Sequence, residues 1–347
     1  MIPTQSRRML PRASSNGIGV RRAGRVLCRG TWNYFAGHPV VVSFEVTHSC
    51  NAACRHCDKG GLKPEERHIS PREFGRLSRE LKPAVIQISG GEPLLREDLD
   101  EIIREVGNPR GSPFTILVTN GRLLTEDKYS AFRRSGVDQF SVSLDFPDER
   151  HDTFRCQPGL FAHLSRLLPR LAGRGGGDLV LNTAITRGNV PELTNLARLA
   201  KEWGVRISFS AYSKLRTGSF EHLPAGEEEL GLLRSQIREL ATQAAGGGVV
   251  VTSPRILWRT LEFFQRGELS GCPAGRLFLV VEPDGKMVPC SMIPEPQSSV
   301  RSLRENFVRS NTCGACFVSV RSFIDGGYWR VLGESLRTYW RLAARSA

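Results

Sequence analysis

Seven of the nine cysteines in this 347-residue chain fall into two groups whose spacing suits metal binding. In chain order the groups are Cys50, Cys54 and Cys57, followed by Cys272, Cys290, Cys313 and Cys316. Thiolates are the usual ligands of iron–sulfur clusters, normally four to a cubane. A group of three would leave one iron without a protein ligand, and therefore open to chemistry. Zinc is the alternative metal for cysteine sites. We expect the remaining two cysteines, Cys28 and Cys156, to be free thiols.

The bulk composition is that of a water-soluble folded protein, with 40% apolar and 24% charged residues. No apolar run approaches the roughly 20 residues that span a bilayer. The N-terminus lacks the apolar segment of a secretory signal. We therefore expect a cytoplasmic protein, a setting in which thiol clusters serve metals more often than disulfides.

The net charge of +13 is concentrated near the N-terminus. Residues 1–37 contain seven arginines and no acidic residue. Such basic segments are usually solvated, so we expect residues 1–37 to form a poorly ordered tail. Contact of this tail with RNA, anionic lipid or an acidic peptide is the alternative, and nucleic acid is not favoured.

From Val40 onward, short β-rich runs alternate with amphipathic helical stretches, as in βα units with a parallel sheet. Ser70 and Pro71 form the expected start of the first helix. Six units of this kind favour a partial or full β/α barrel. The predicted strands are Val40–Val46, Ala84–Ile88, Phe114–Val118, Gln139–Leu144, Leu179–Thr183 and Val205–Phe209.

Polar motifs follow the predicted strands at their C-terminal ends. Cys50 follows strand one, Gly90–Pro93 strand two and Thr119–Gly121 strand three, while Ser143–Asp145 and Asn182 lie at the ends of strands four and five. Parallel β/α enzymes build their active sites at this edge. The motifs should therefore converge on one mouth.

The three-cysteine loop after one strand, followed by Gly-Gly-Glu-Pro after the next, resembles the radical S-adenosylmethionine (SAM) superfamily. The resemblance implies an α/β fold, a partial (βα)6 TIM-like barrel. It also implies a 4Fe-4S cluster on Cys50, Cys54 and Cys57, whose fourth iron is chelated by SAM. Reductive cleavage of SAM then yields a 5′-deoxyadenosyl radical, which abstracts a hydrogen atom from the substrate.

Several cofactor contacts are implied by this resemblance. Gly90 and Gly91 would let the backbone approach the methionyl group of SAM, and Glu92 would receive its ammonium. His56 occupies the family's usually aromatic position, whose backbone meets the adenine.

Further contacts follow from the later strands. Ser143 and Asp145 resemble residues that contact the ribose and methionyl moieties, and Asn182 matches a polar position near the ribose. Arg155 resembles an arginine that meets the SAM carboxylate. Cys156 departs from the pattern because relatives commonly have glycine there, which puts the local backbone geometry in question.

The second group has the pattern Cys-x12-Gly-x4-Cys followed by Cys-x2-Cys, with Gly285 at the turn. From the residues alone, a zinc ribbon and an iron–sulfur site are equally open. After a radical SAM core, the pattern resembles the Twitch module, a shortened SPASM module with one auxiliary cluster. Four thiolates would provide a ligand for every iron of that 4Fe-4S cluster. Without an open iron, the cluster would act as an electron acceptor. Dehydrogenation or an oxidative crosslink then fits better than a redox-neutral rearrangement.

Four regions are expected along the chain. They are the tail over 1–37, the barrel over 38–253, the Twitch/SPASM-like auxiliary cluster domain over 254–325, and a C-terminal helix over 326–347. Within the cluster domain, Leu277–Val281 and a Pro-Asp-Gly turn predict a hairpin.

The sequence therefore predicts a radical SAM oxidoreductase or maturase that acts on a peptide or small molecule in peptide, natural-product or cofactor maturation. A flavodoxin- or ferredoxin-type protein would supply electrons. RNA- or lipid-directed modification and a non-catalytic zinc or iron–sulfur protein are the alternatives. Tyr212, Lys214 and Arg216 are candidates for touching the substrate, and no catalytic residue or proton acceptor is identified.

Overall fold

A computed structural model describes residues 20–108, 111–174 and 177–334. Its centre is one eight-stranded sheet with the order β6-β5-β4-β3-β2-β1-β7-β8. Neighbouring strands from β6 to β7 are all parallel, and β8 is antiparallel to β7. The strands are β1 (Val41–Thr47), β2 (Val85–Gly90), β3 (Phe114–Thr119), β4 (Gln139–Ser143), β5 (Leu179–Ile185), β6 (Arg206–Ala211), β7 (Phe278–Val281) and β8 (Met287–Val288).

Helices connect successive strands of the parallel sheet, as the alternating sequence pattern predicts. The first of these connecting helices is capped by Ser70, whose side chain and that of Glu73 form the reciprocal bonds of a capping box. The α-helices are α1 (Val20–Ala36), α2 (Pro71–Leu81), α3 (Leu99–Val106), α4 (Glu126–Ser135), α5 (Arg150–Arg155), α6 (Leu160–Ala172), α7 (Leu193–Glu202), α8 (Gly226–Ala245), α9 (Pro254–Arg266), α10 (Val300–Asn306) and α11 (Ser319–Ile324).

Alternation along the strands separates the core from a polar inner face. On β1, Val42 and Phe44 are fully buried in the main hydrophobic core, whereas Ser43 and Glu45 point the other way and line a cavity. Successive side chains of a strand lie on opposite faces of the sheet, and the same division recurs on β2 and β4. One face of the sheet thus packs on helices and the other is available for a site.

The six predicted strands and their parallel order are confirmed. Within the described residues, β6 and β8 are the edges of the sheet, so closure into a barrel is not seen. The predicted hairpin is confirmed as β7 and β8, and β7 also adds to the main sheet beside β1. The segment beyond residue 254 therefore contributes to the same sheet as the βα units.

The expectation of a poorly ordered tail over 1–37 is wrong for residues 20–36, which form α1. Arg22 donates to the carboxylate of Asp138 and to the carbonyl of Gly111, at the N-terminal ends of β3 and β4. Asn33 donates to the carbonyls of Pro39 and Lys82, before β1 and β2. These bonds hold α1 against the N-terminal ends of the strands, whereas the cysteines lie at the C-terminal ends. The arginines at positions 7, 8 and 12 lie outside the described residues.

At the other end of the chain, residues 328–334 are helical, and the rest of the predicted C-terminal helix lies outside the described residues. A membrane-spanning helix is not found in the part of the chain that the structure describes, since no helix there combines the necessary length and apolarity.

Candidate active site

Both cysteine groups line one cavity of about 310 Å³ at the C-terminal ends of the strands. Its wall includes strand-end residues from β1 to β6 and, opposite them, segments that follow α9 and β8. The fold therefore brings together thiols that are more than 200 residues apart. The cysteines on this wall are Cys50, Cys54, Cys57, Cys272, Cys290, Cys313 and Cys316.

The first cysteine loop folds back on itself directly after β1. The amide of Cys50 donates to the carbonyl of Gly61 at 2.9 Å, and the amide of Cys57 donates to the carbonyl of Cys54 at 3.1 Å. Burial raises the pKa of Cys50, and raises that of Cys54 to about 11. Both are therefore thiols at neutral pH in the metal-free protein, and metal binding would release protons.

Gly90 and Gly91 are required by the chain's own backbone. A β-carbon on Gly90, whose φ is +120°, would lie 2.1 Å from the carbonyl oxygen of Thr47. One on Gly91 would lie 2.1 Å from the carbonyl oxygen of Ser49. The amide of Gly91 donates to the Thr47 carbonyl at 2.7 Å, and that of Glu92 to the Ser49 carbonyl at 2.9 Å. The two glycines thus dock the turn after β2 against the start of the cysteine loop, and both also line the cavity.

Glu92 is fully buried and is not among the residues that line the cavity. Its carboxylate accepts hydrogen bonds from the Thr119 hydroxyl and the Asn120 amide, both at 2.7 Å, and from the Leu94 amide at 3.1 Å. Burial raises the pKa of Glu92 against these bonds. In this structure Glu92 therefore ties the turn after β2 to the end of β3.

Asp145 and Arg155 form a buried ion pair beside the first cysteine loop. The Arg155 Nε and Nη2 atoms each lie 2.7 Å from one carboxylate oxygen of Asp145. The Nη1 atom lies 3.9 Å from the sulfur of Cys54, and Arg155 lines the cavity while Asp145 does not. Although burial opposes its charge, the cationic Arg155 lowers the pKa of Asp145. The pair therefore fixes a guanidinium next to a candidate metal ligand.

His56 lies on the cavity wall with its ring stacked on Phe154, at 4.6 Å between centroids and 4° between planes. Its Nδ1 atom is buried without a hydrogen-bond partner. Burial and the nearby Arg155 lower the pKa of His56 to about 3, so the ring is neutral at physiological pH. A neutral, flat stack with an unpaired nitrogen is suited to hold a heteroaromatic ring.

Ser143 and Asn182 are direct neighbours in the register of β4 and β5, and both line the cavity. The Asn182 side-chain oxygen accepts a hydrogen bond from the Ser208 hydroxyl at 3.1 Å. Of the eight non-cysteine positions predicted from the sequence, six line the cavity. Those six are His56, Gly90, Gly91, Ser143, Arg155 and Asn182, while Glu92 and Asp145 support them from behind.

Cys156 follows Arg155 at the end of α5 and adopts the left-handed conformation, with φ of 51° and ψ of 44°. This conformation favours glycine. The backbone at position 156 therefore has the conformation that favours glycine, although the residue there is a cysteine, which disfavours it. Cys28 and Cys156 are both exposed and unbonded to other cysteines.

The second cysteine group is assembled partly by Asn311. Its side-chain amide donates to the carbonyl of Cys272 at 2.8 Å, and its side-chain oxygen accepts from the amide of Cys313 at 3.0 Å. A hydrogen bond between the side chains of Cys272 and Cys313 raises the pKa of Cys272 and lowers that of Cys313. Burial raises the pKa of Cys290 to about 11.

Within the described residues, no three cysteine, histidine or carboxylate side chains converge as the ligands of a single metal ion do. The cysteines of each group instead surround part of a cavity. In a cubane cluster each thiolate binds a different iron, so its ligands enclose a volume rather than a point. Thiols that line a cavity without converging on one point are compatible with ligands of that kind.

Sequence reasoning missed Glu45, which lies on the wall of the cavity that both cysteine groups line. Its carboxylate is 2.9 Å from His48 Nε2 and 3.2 Å from Lys59 Nζ. Although burial opposes its charge, His48, Lys59 and Arg216 lower the pKa of Glu45 to about 2. The available signal was an acidic residue within a strand that is mostly apolar.

Two of the three residues proposed to touch the substrate reach the cavity. Tyr212 and Arg216 line it, and Arg216 is 3.1 Å from the carboxylate of Asp58. Lys214 is not on the cavity wall and lies over the ring of Phe220, 4.2 Å from its centroid.

A family model described as the Radical SAM superfamily matches residues 44–210. This is the segment that carries β1 to β6, the first cysteine loop and the cavity's strand-end residues. The match covers just under half of the chain and shows that this segment is similar to the radical SAM superfamily. The similarity indicates an enzyme that uses SAM and a 4Fe-4S cluster.

Curated relatives include heme synthases and mycofactocin maturases. The AdoMet-dependent heme synthase of Methanosarcina barkeri (strain Fusaro / DSM 804) is 29% identical over 293 residues, which cover 76% of this chain and 80% of that protein. Mycofactocin maturase MftC of Mycobacterium ulcerans (strain Agy99) is 28% identical over 265 residues, covering 73% and 68%. Against the heme synthase of Oleidesulfovibrio alaskensis, which is 33% identical over the matched region, the chain spans only 43% of the relative's length.

Two solved structures share the fold. Streptococcus suis SuiB bound to precursor peptide SuiA superposes with a TM-score of 0.61 at 16% identity, covering 79% of this chain and 67% of that one. The anSMEcpe structure with bound AdoMet gives a TM-score of 0.58 at 15% identity, covering 89% and 99%. This chain and these two proteins therefore have the same overall fold.

Proposed function

We propose that this protein is a radical SAM oxidoreductase of the SPASM/Twitch branch that acts in peptide or cofactor maturation. The observation that carries the proposal is that a three-thiol group and a four-thiol group line the same cavity. Relatives named as a heme synthase and a mycofactocin maturase, and a fold shared with SuiB, support this substrate range.

Cys50, Cys54 and Cys57 would hold the catalytic 4Fe-4S cluster, and Cys272, Cys290, Cys313 and Cys316 a second one. With SAM bound, such a pair of clusters supplies a radical that removes a hydrogen atom and an acceptor for one further electron, so that loss of a proton completes a two-electron oxidation. Dehydrogenation and oxidative crosslinking both have this balance.

The chain's own residues would bind and orient the cofactor. Arg155, held by Asp145, presents Nη1 to the cavity beside Cys54 and is suited to the carboxylate of SAM. The neutral His56 stack and the Ser143–Asn182 pair line the same wall and are suited to the adenosine portion. Because the Glu92 oxygens already accept three bonds from the protein, we propose that Glu92 acts on SAM by fixing the glycine turn.

Four polar or charged side chains line the cavity that both cysteine groups share, namely Glu45, Lys59, Tyr212 and Arg216. A substrate placed to give a hydrogen atom at one side and an electron at the other would occupy this space. We therefore assign the substrate-binding surface to these four residues.

Iron and sulfide analysis tests the two-cluster assignment. The anaerobically reconstituted wild type should hold about eight irons per chain, by the four-iron composition of a cubane. Cys313→Ala with Cys316→Ala should remove about four of them, and so should the triple alanine variant of the first group. Cys156→Ala is the matched control, because this thiol neighbours the site but belongs to neither group, and it should keep all of them.

Zinc in the second group would contradict the electron-acceptor role. Loss of all iron in the double variant would contradict the assignment of separate clusters to the two groups.

A further inference from the structure

Arg321 on α11 is a fully buried cation beside the second cysteine group. Its terminal nitrogens donate to the carbonyls of Cys316, Leu269 and Ser270. Its Nε atom is buried without a hydrogen-bond partner. The guanidinium thus meets neutral carbonyl dipoles and the ring of Phe317, whose centroid is 5.9 Å from its central carbon, and leaves one donor unsatisfied.

No carboxylate compensates this charge in the described part of the chain, where no ion pair includes Arg321. Asp325, one turn further along, is instead bound by Arg255 and Arg259. A guanidinium cannot escape burial by losing its proton. A buried charge without a counter-ion strongly opposes folding. An anion should therefore stand near Arg321 in the working protein.

The second cysteine group offers that anion. A terminal nitrogen of Arg321 donates to the backbone carbonyl of Cys316, and Cys316 shares one cavity wall with Cys272, Cys290 and Cys313. Metal binding deprotonates such ligands, and four thiolates around Zn²⁺ carry a net charge of about −2. An oxidised cubane with four thiolates has a similar net charge.

We infer that Arg321 is the built-in counter-cation of an anionic metal–tetrathiolate centre on Cys272, Cys290, Cys313 and Cys316. The inference rests on the assignment of these cysteines in the proposed function. A fixed cation stabilises the more negative state of such a centre, so Arg321 should also favour its reduction. Arg321 is thus a positioning residue for the acceptor rather than a group that touches the substrate.

A purely structural role is the competing explanation, because the same guanidinium links the carbonyl of Leu269 to that of Cys316. The two explanations differ in the metal-free protein. As a clasp, Arg321 stabilises the chain with or without metal. As a counter-cation, it destabilises the metal-free chain and stabilises the metal-bound one.

The two explanations can be distinguished by melting temperatures. These are measured on the full chain, both metal-free and after anaerobic reconstitution with iron and sulfide. Arg321→Met should melt at or above the wild-type temperature without metal, and below it after reconstitution. Arg321→Gln keeps a donor for the carbonyls but no charge and should behave like Arg321→Met, whereas Arg321→Lys should keep most of the wild-type gain on reconstitution.

Arg259→Met is the matched control, since Arg259 is paired with Asp325 and Glu262, and its loss should lower both melting temperatures alike. Equal losses for Arg321→Met in the two states would overturn the inference. Failure of metal-free Arg321→Met and Arg321→Gln to fold would also overturn it, because the neutral variants should be the more stable ones.

Metal affinity gives a second readout that does not involve activity. In protein reconstituted with iron and sulfide and titrated with a chelator, Arg321→Met should hold the iron of the second group about 10- to 100-fold more weakly than wild type. Unchanged affinity would contradict the inference. Metal analysis of the purified protein identifies the native metal. Zinc in the second group would be consistent with Arg321 as a counter-cation, but it would refute the electron-acceptor role. Absence of SAM cleavage would refute the proposed function without altering the melting comparison.

Discussion

Around the first cysteine loop, burial and neighbouring charges shift the pKa values of individual side chains away from their ordinary values. His151 is completely buried, and its Nδ1 accepts a hydrogen bond from the amide of Asp145 at 3.2 Å. Burial and the charge of Arg155 lower the pKa of His151 to about 4. The neutral ring is therefore part of the support beneath the Asp145–Arg155 pair.

This burial predicts a pH dependence of stability. An unfolded histidine takes up its proton near pH 6.5, whereas folded His151 stays neutral down to about pH 4. The unfolded chain then binds more protons, so stability falls as the pH drops from 6.5 towards 4. Between pH 7.5 and 5.5, the metal-free wild type should lose about 1 kcal/mol more unfolding free energy than His151→Asn, as measured in urea. Parallel pH profiles would contradict this prediction.

Cys156 predicts a second effect at the scale of one residue. A side chain in the left-handed region costs about 1 kcal/mol, and more when it branches at the β-carbon. Cys156→Gly should therefore melt at or above the wild-type temperature, while Cys156→Val should melt below it. A calorimetric scan in which the valine variant equals wild type would show that the turn adapts to its residue.

At the scale of elements, the basic composition of α1 leads to a wrong prediction of its structure. Its arginines suggest a solvated tail, yet Arg22 is largely buried and binds the carboxylate of Asp138, which is only 8% exposed. Asp138 in turn accepts from the amide of Thr115 at 2.8 Å. The Arg22–Asp138 pair therefore binds α1 to the sheet at the end opposite the site.

Arg22→Met should therefore destabilise the protein by about 3 kcal/mol, because it leaves a buried carboxylate without its cation. The same change at the exposed neighbour Arg21 should have little effect. Urea unfolding measures both, and adding Asp138→Asn to Arg22→Met should recover part of the loss. Identical midpoints for the two arginine variants would show that α1 does not depend on this pair.

The strands were predictable because local composition determines them. β1, β2, β3 and β5 are rich in β-branched residues, and turns and helix caps such as Ser70 bound the units between the strands. β7 is different, since a four-residue apolar run does not reveal that its partner is β1, more than 200 residues earlier. Likewise, the basic sequence of α1 gives no sign of the carboxylate and carbonyls that bind it.

At the scale of the whole molecule, the cysteines were predictable because their spacing is local. Glu45 and Arg321 were not, because a charged side chain is normally exposed and only the assembled fold buries these two. The meeting of both cysteine groups in one cavity also depends on β7 pairing with β1, which brings the second group to the mouth of the sheet.

The central claim is that the first cysteine group supports reductive cleavage of SAM. Anaerobically reconstituted protein, supplied with dithionite and SAM, should form 5′-deoxyadenosine and methionine in equal amounts. Cys156→Ala should retain this activity, since Cys156 belongs to neither group. The triple variant Cys50→Ala, Cys54→Ala and Cys57→Ala should form neither product. 5′-Deoxyadenosine formation that persists in the triple variant, or its absence from iron-replete wild type, would contradict the account.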